Sequence, residues 1–306
     1  MSFEQAPQLQ QEEETKGEIV TVKTPEQQAN SQENDSEVLF ARLSNPIIKK
    51  QVIDLLYQAE LWAKENVTNL VEVGKDETGA WLRDKNGNML FNKEPYIPRT
   101  REEIEKDYDK TLERVMSFTE IGFGPEQAEG GSADENEKIF LGWKWPATGK
   151  PPTTKQWAII EAHEKGHSMR PYHRFYSGRY FQNYFSKGFD LSTVDFSEED
   201  FQQYLKQREL EKTNFADNDT PPTIETQREE FFRYLFSGEE ITERMSQLKN
   251  YFGFKGDEQF TLEHLRYAKE HYITDTGFDN KMTPFLKAIT PETENEFIKL
   301  INSSGI

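Results

Sequence analysis

The chain has no cysteine. Disulfide cross-links and thiolate metal sites are therefore excluded, and any bound metal must be held by nitrogen and oxygen ligands. Missing cysteine does not choose between cell compartments. No apolar run approaches the roughly 18 residues a membrane helix needs. The start, Met1-Ser2-Phe3-Glu4-Gln5, has neither the basic region nor the apolar stretch of a secretory signal. The expectation is a soluble cytoplasmic protein with no membrane partner, with packaging in a virion or signal-independent export left open. Cations are also scarce: 37 Lys and Arg stand against 55 Asp and Glu, a net charge of -18. Phosphate binding needs clustered cations, so nucleic acid is not an expected partner. Histidine is rarer still, with five in 306 residues.

Aromatic residues are plentiful, with 22 Phe, 12 Tyr and 5 Trp, so the core is expected to be aromatic-rich. Residues Met1 to Glu37 carry nine acidic groups against Lys16 and Lys23, with seven glutamines and few large apolar residues. Such a segment cannot bury enough surface to offset its ordering entropy, so residues 1–37 read as a disordered tail. Residues 38–150 read as an N-terminal α+β region. Asn45-Pro46 is an N-cap and N1 pair, and Ile48, Val52, Leu55, Leu56, Ala59 and Trp62 then mark one helix face. Trp81-Leu82-Arg83 and Met89-Leu90-Phe91 read as a hairpin. Thr100 with Glu103 is a capping box before a helix with Ile104, Tyr108, Leu112 and Met116 on one side. Ile139 to Trp145 reads as a strand, a candidate edge for an extended peptide to join. Residues 151–306 read as helical, including an aromatic stripe of Tyr176, Tyr180, Phe181, Tyr184 and Phe185 that suits a core face.

Three of the scarce histidines lie close together. His163-Glu164-Lys165-Gly166-His167 has the HExxH spacing. Residues i and i+4 stack on one helix face, so both imidazoles can reach one metal ion. Glu164 sits near such a metal without bonding it, where it can take a proton from the attacking water and pass it to a leaving amine. The local context supports a helix here. Thr153 with Gln156 fits a capping box, Pro151 and Pro152 precede it, and no proline interrupts before Pro171. Gly166 costs about 1 kcal/mol of helix propensity relative to alanine, which makes sense if something approaches the helix closely.

A third ligand is needed. His173 follows His163 by ten residues, the metzincin spacing, but Arg170 stands where that pattern has glycine. Ser237-Gly238-Glu239-Glu240-Ile241-Thr242-Glu243-Arg244 opens a helix with an acidic first turn. With HExxH, this segment resembles the gluzincin-type zincins of mobile elements and toxins. That resemblance implies an α+β, predominantly helical fold: a zincin-like domain with a small β-sheet beside the HExxH helix. It further implies a Zn²⁺ site made by His163, His167 and Glu240, with Glu164 as the catalytic base. Glu230 and His173 are the alternative third ligands. His173, Arg170, Tyr172 and Tyr176 are candidates for stabilising the developing oxyanion.

The expected function is a zinc-dependent metallopeptidase acting on a peptide or protein substrate. The same ligand types also form iron(II) sites. The alternative is a non-catalytic zincin-fold protein with a binding or regulatory role, or one associated with a virion or mobile element.

Overall fold

The computed structural model describes residues 24–29, 34–66, 70–73, 91–94, 97–116, 121–124, 131–133, 139–142, 153–170, 177–194, 232–279 and 281–306. In chain order the helices are α1 Pro25–Ala29, α2 Asp35–Leu43, α3 Pro46–Asn66, α4 Arg101–Met116, α5 Thr154–Met169, α6 Ser177–Phe185, α7 Gly238–Tyr251, α8 Leu262–Thr276, α9 Met282–Lys287 and α10 Glu294–Ser303. Short strands β1 Leu70–Val73 and β2 Phe91–Glu94 pair antiparallel. Strand β3 Ile121–Gly124 pairs parallel with β5 Ile139–Gly142, and β4 Gly131–Ala133 pairs antiparallel with β5.

The expected α+β zincin-like architecture is corrected by this arrangement, because the described chain is mostly helical. One hydrophobic cluster joins residues of α1, α2, α3, α4, α5, α6, α7, α8, α9 and α10. The physical reason is visible in the strands. None exceeds four residues, and Gly122, Gly124, Gly131 and Gly142 offer no side chain to pack. Of the expected hairpin, residues 81–90 lie outside the described residues, as do Trp143 and Trp145.

Helix starts follow local chemistry. Asn45 Oδ1 accepts from the Ile47 amide at 2.9 Å, which starts α3 at Pro46. Thr100 and Glu103 exchange hydrogen bonds at the head of α4. Ile48, Val52, Leu55, Leu56 and Ala59 are buried as their spacing predicts. On α4 the buried face turns slightly: Val115 is buried, whereas Met116 is 54% exposed. Phe181 and Phe185 of the aromatic stripe are fully buried, and Tyr180 and Tyr184 pack against the core. Tyr176 lies outside the described residues.

Two described helices begin within the expected tail, residues 1–37. Ala29 on α1 is buried, and α2 begins at Asp35. His264 explains the anchoring of α1. Its Nδ1 accepts from the Thr261 amide at 3.0 Å, which leaves Nε2 as the donor to Gln28 Oε1 at 2.7 Å. One hydrophobic cluster takes Leu39, Val52 and Ile104 together with Phe181, Met245 and Phe297, so the described helices on either side of position 150 share a core.

The centre of this core is α7, packed against α2, α5 and α6. All its residues but Glu239 are buried, although its sequence is strongly polar. Burial of such a helix is tolerable only where its polar groups find partners. Gln247 donates to the Tyr272 hydroxyl. Arg42 on α2 donates to Ser246 Oγ at 2.8 Å and Asn250 Oδ1 at 2.7 Å. A solvated helix face, the ordinary expectation for glutamates in so acidic a chain, is not what these residues form. No described helix is long and apolar enough to cross a membrane.

Candidate metal centre

Helix α5 carries the HExxH string. Thr153 accepts from the Gln156 amide while Gln156 reaches back to the Thr153 amide, the expected capping box. Ile159, Ile160 and Ala162 face the core. One face then presents His163 and His167, with Nε2 atoms 3.1 Å apart.

Helix α7 brings the third group. Ser237 caps it by accepting from the Glu240 amide. The Glu240 carboxylate then stands with Oε2 3.6 Å from His163 Nε2 and Oε1 3.4 Å from His167 Nε2. His163, His167 and Glu240 form a group that could hold a metal ion. The spacing fits one. Ligands about 2.0–2.1 Å from a tetrahedral ion stand about 3.3–3.4 Å from one another. The side chains of His163 and Glu240 are each 5% exposed, but that of His167 is 22% exposed, so solvent reaches the triangle from the His167 side.

The charges around the triangle suit a cation. Arg244, one turn along α7, donates from its terminal guanidinium nitrogen to Glu240 Oε2 at 3.0 Å and fixes the carboxylate. Such support of a ligating carboxylate is the usual outer-shell pattern. Burial alone would raise the Glu240 pKa; the two facing imidazoles and the Arg244 charge hold it well below the ordinary range. Burial lowers the His163 pKa to about 4, keeping it neutral as a ligand must be. Burial also acts to lower His167, but the Glu240 hydrogen bond and charge outweigh it and raise this imidazole to about 9. His163 Nδ1 is buried with no hydrogen-bond partner among the described residues, which departs from the usual outer shell of a ligating histidine.

Glu164 is partly exposed and stands outside the triangle. Desolvation raises its carboxyl to about 7, with the Glu240 and Glu243 charges adding and His167 opposing. A carboxylate with such a pKa can accept and return a proton near neutral pH.

Among the other residues singled out from sequence, His173, Glu230 and Tyr172 lie outside the described residues. Arg170 is corrected. It is 1% exposed, with Nε 3.5 Å from Glu243 Oε1 and a terminal nitrogen donating to Ser246 Oγ at 3.1 Å, so it serves the interior rather than an oxyanion. Glu243, in turn, is what approaches Gly166.

Tyr234 was not singled out from sequence. The residue is 47% exposed; desolvation of its hydroxyl, then the Glu240 charge, raises the phenol well above its ordinary value. Lys281 Nζ lies 4.8 Å from the Tyr234 ring centroid. The break at Ser237-Gly238 separates Tyr234 from α7, so no helical spacing links it to Glu240.

No protein-family model, curated protein or solved structure matches this chain in comparisons with known proteins.

Proposed function

We propose that the chain is a zinc-dependent metallopeptidase of the HExxH type, acting on peptide or protein substrates in the cytoplasm. The observation that carries the reading is the convergence of two imidazoles and one carboxylate from two helices onto one point, beside a fourth group suited to proton transfer. The donor set of two nitrogens and one oxygen suits zinc. When bound, zinc supplies Lewis-acid polarisation of a substrate carbonyl and lowers the pKa of water. Glu164 accepts the proton of the attacking water and returns it to the leaving amine. Arg244 keeps Glu240 ionised and oriented.

The test combines metal content and turnover. Mass spectrometry of the purified chain should find about one zinc per molecule, lost in His163→Ala and in Glu240→Ala. Hydrolysis of an unstructured protein substrate should vanish in Glu164→Gln while zinc stays bound. Turnover that survives Glu164→Gln refutes the mechanism, and a wild type that takes up no added zinc refutes the metal site.

A further inference from the structure

The contact between Gly166 and Glu243 lies between the two ligand-bearing helices, and the proposed function leaves it without a role. A methyl group placed on Gly166 would stand 1.7 Å from Glu243 Oε2 and 2.5 Å from its Cδ, so the carboxylate rests directly on the α5 backbone. Gly166 falls between His163 and His167, and Glu243 follows Glu240 by one turn of α7. The carboxylate is then held from behind. Arg170, at the end of α5, approaches Glu243 Oε1 with Nε at 3.5 Å and donates to Ser246 Oγ at 3.1 Å. The same Ser246 hydroxyl accepts from Arg42, which also bonds the Phe254 carbonyl at 2.8 Å. Helices α2, α5 and α7 are thus tied through one buried polar chain.

We propose that Glu243, seated on Gly166 and held by Arg170, is a positioning residue that sets the register of α7 against α5 and so the distance of Glu240 from the two histidines. The inference rests on the metal-holding reading of the triangle. An apolar side chain would fill the same space without a charge to desolvate. Glu243 instead leaves Oε2 buried with no hydrogen-bond partner among the described residues, a cost a mere filler does not explain. What a carboxylate adds is direction. It meets Arg170 at one setting of the two helices, and a slip of α7 by a single turn, about 5.4 Å, would break that pair and carry Glu240 away from the imidazoles.

The test uses the full chain with Gly166→Ala, Glu243→Asp and the double variant. Zinc affinity is read by competition with a chromophoric chelator. Coordination geometry is read from the visible spectrum of the Co²⁺-loaded protein, and stability from thermal unfolding in chelator. Gly166→Ala should weaken zinc binding at least about tenfold, the scale of outer-shell losses, and alter the Co²⁺ spectrum. Glu243→Asp alone should also weaken it. In the double variant the shorter side chain withdraws from the added methyl, so affinity should recover to within about threefold of wild type, against a tenfold outer-shell loss. A residue that only stabilises the fold would lower the unfolding temperature in chelator and leave affinity and spectrum of the folded protein unchanged. Wild-type affinity and spectrum in Gly166→Ala, or losses that simply multiply in the double variant, overturn the proposal. If Gly166→Ala fails to fold, Glu243→Asp decides: unchanged affinity and spectrum overturn the proposal. Absence of Zn²⁺ and Co²⁺ binding by the wild type overturns the metal reading itself, a result distinct from a metal-binding wild type whose variants behave normally.

Discussion

His163 Nε2 and His167 Nε2 face one another at 3.1 Å, each beside a different oxygen of Glu240. Two nitrogens this close cannot both point a proton at the other. The environment settles the contest unequally, lowering His163 to about 4 and raising His167 to about 9. Without metal, one proton on His167 faces the Glu240 carboxylate at neutral pH, where a cation would otherwise sit.

Metal binding must displace that proton. Zinc affinity should therefore rise roughly tenfold per pH unit up to about pH 9, then level off, with about one proton released per ion bound near neutrality. Chelator competition across this range, with calorimetry in buffers of different ionisation enthalpy, reads both quantities. An affinity that does not change with pH would show that His167 carries no proton in the free site.

Arg244 and Glu240 form a buried pair one helical turn apart. Removing one member of such a pair leaves a buried charge uncompensated and costs about 3–5 kcal/mol. Arg244→Met should show a loss of that size in urea unfolding with chelator present, and a clearly smaller one with saturating zinc, because the ion then compensates Glu240. An equal loss in both conditions would mean that Glu240 is not a ligand.

Phe285 is fully buried, with ring centroids 5.0 Å from Phe189 and 6.2 Å from Phe297. Truncating a core phenylalanine costs about 3–5 kcal/mol. Phe285→Ala should therefore lower stability by that amount while the folded fraction keeps its zinc stoichiometry. Loss of zinc from well-folded Phe285→Ala would show that this aromatic cluster supports the metal centre directly.

Where a signal is local, the sequence is legible. The capping boxes at Thr153 and Thr100 and the Asn45-Pro46 start each depend on residues within three positions, and each marks a helix start. HExxH places two histidines on one face through helix geometry alone, and the Ser237 cap locates the helix that brings Glu240. Burial of α7 was not legible. Its string of Glu, Thr, Arg, Ser, Gln, Lys and Asn resembles a solvated helix, and only partners distant in sequence, such as Arg42 and Tyr272, make its burial tolerable. The same limit hid Tyr234, which meets Glu240 across a helix break, and the reason for Gly166, which is a carboxylate 77 residues later in the chain. Hydrophobic runs such as Ile139-Phe140-Leu141 suggest strands without fixing their length, so they overstate the weight of a β-sheet in a chain whose described residues are mostly helical.

Lys249, also on α7, is 1% exposed. Burial lowers its pKa to about 7; the Arg42 charge adds to this, and the Glu258 charge opposes it. Below about pH 7 the ammonium is charged in both folded and unfolded chains, and the folded state bears its full desolvation penalty. Between about pH 7 and 10.5 the unfolded chain keeps the proton and the folded chain does not, so the penalty fades as pH rises. Lys249→Met keeps an unbranched side chain one atom shorter and removes the charge. It should stabilise the protein most at about pH 6, less at about pH 9, and hardly at all above the pKa of a free lysine, about 10.4. Urea unfolding of the two proteins side by side measures the difference at each pH. A difference that stays constant would show that Lys249 carries its charge at no cost, and that the interior around Arg42 and Arg170 is more polar than its burial implies.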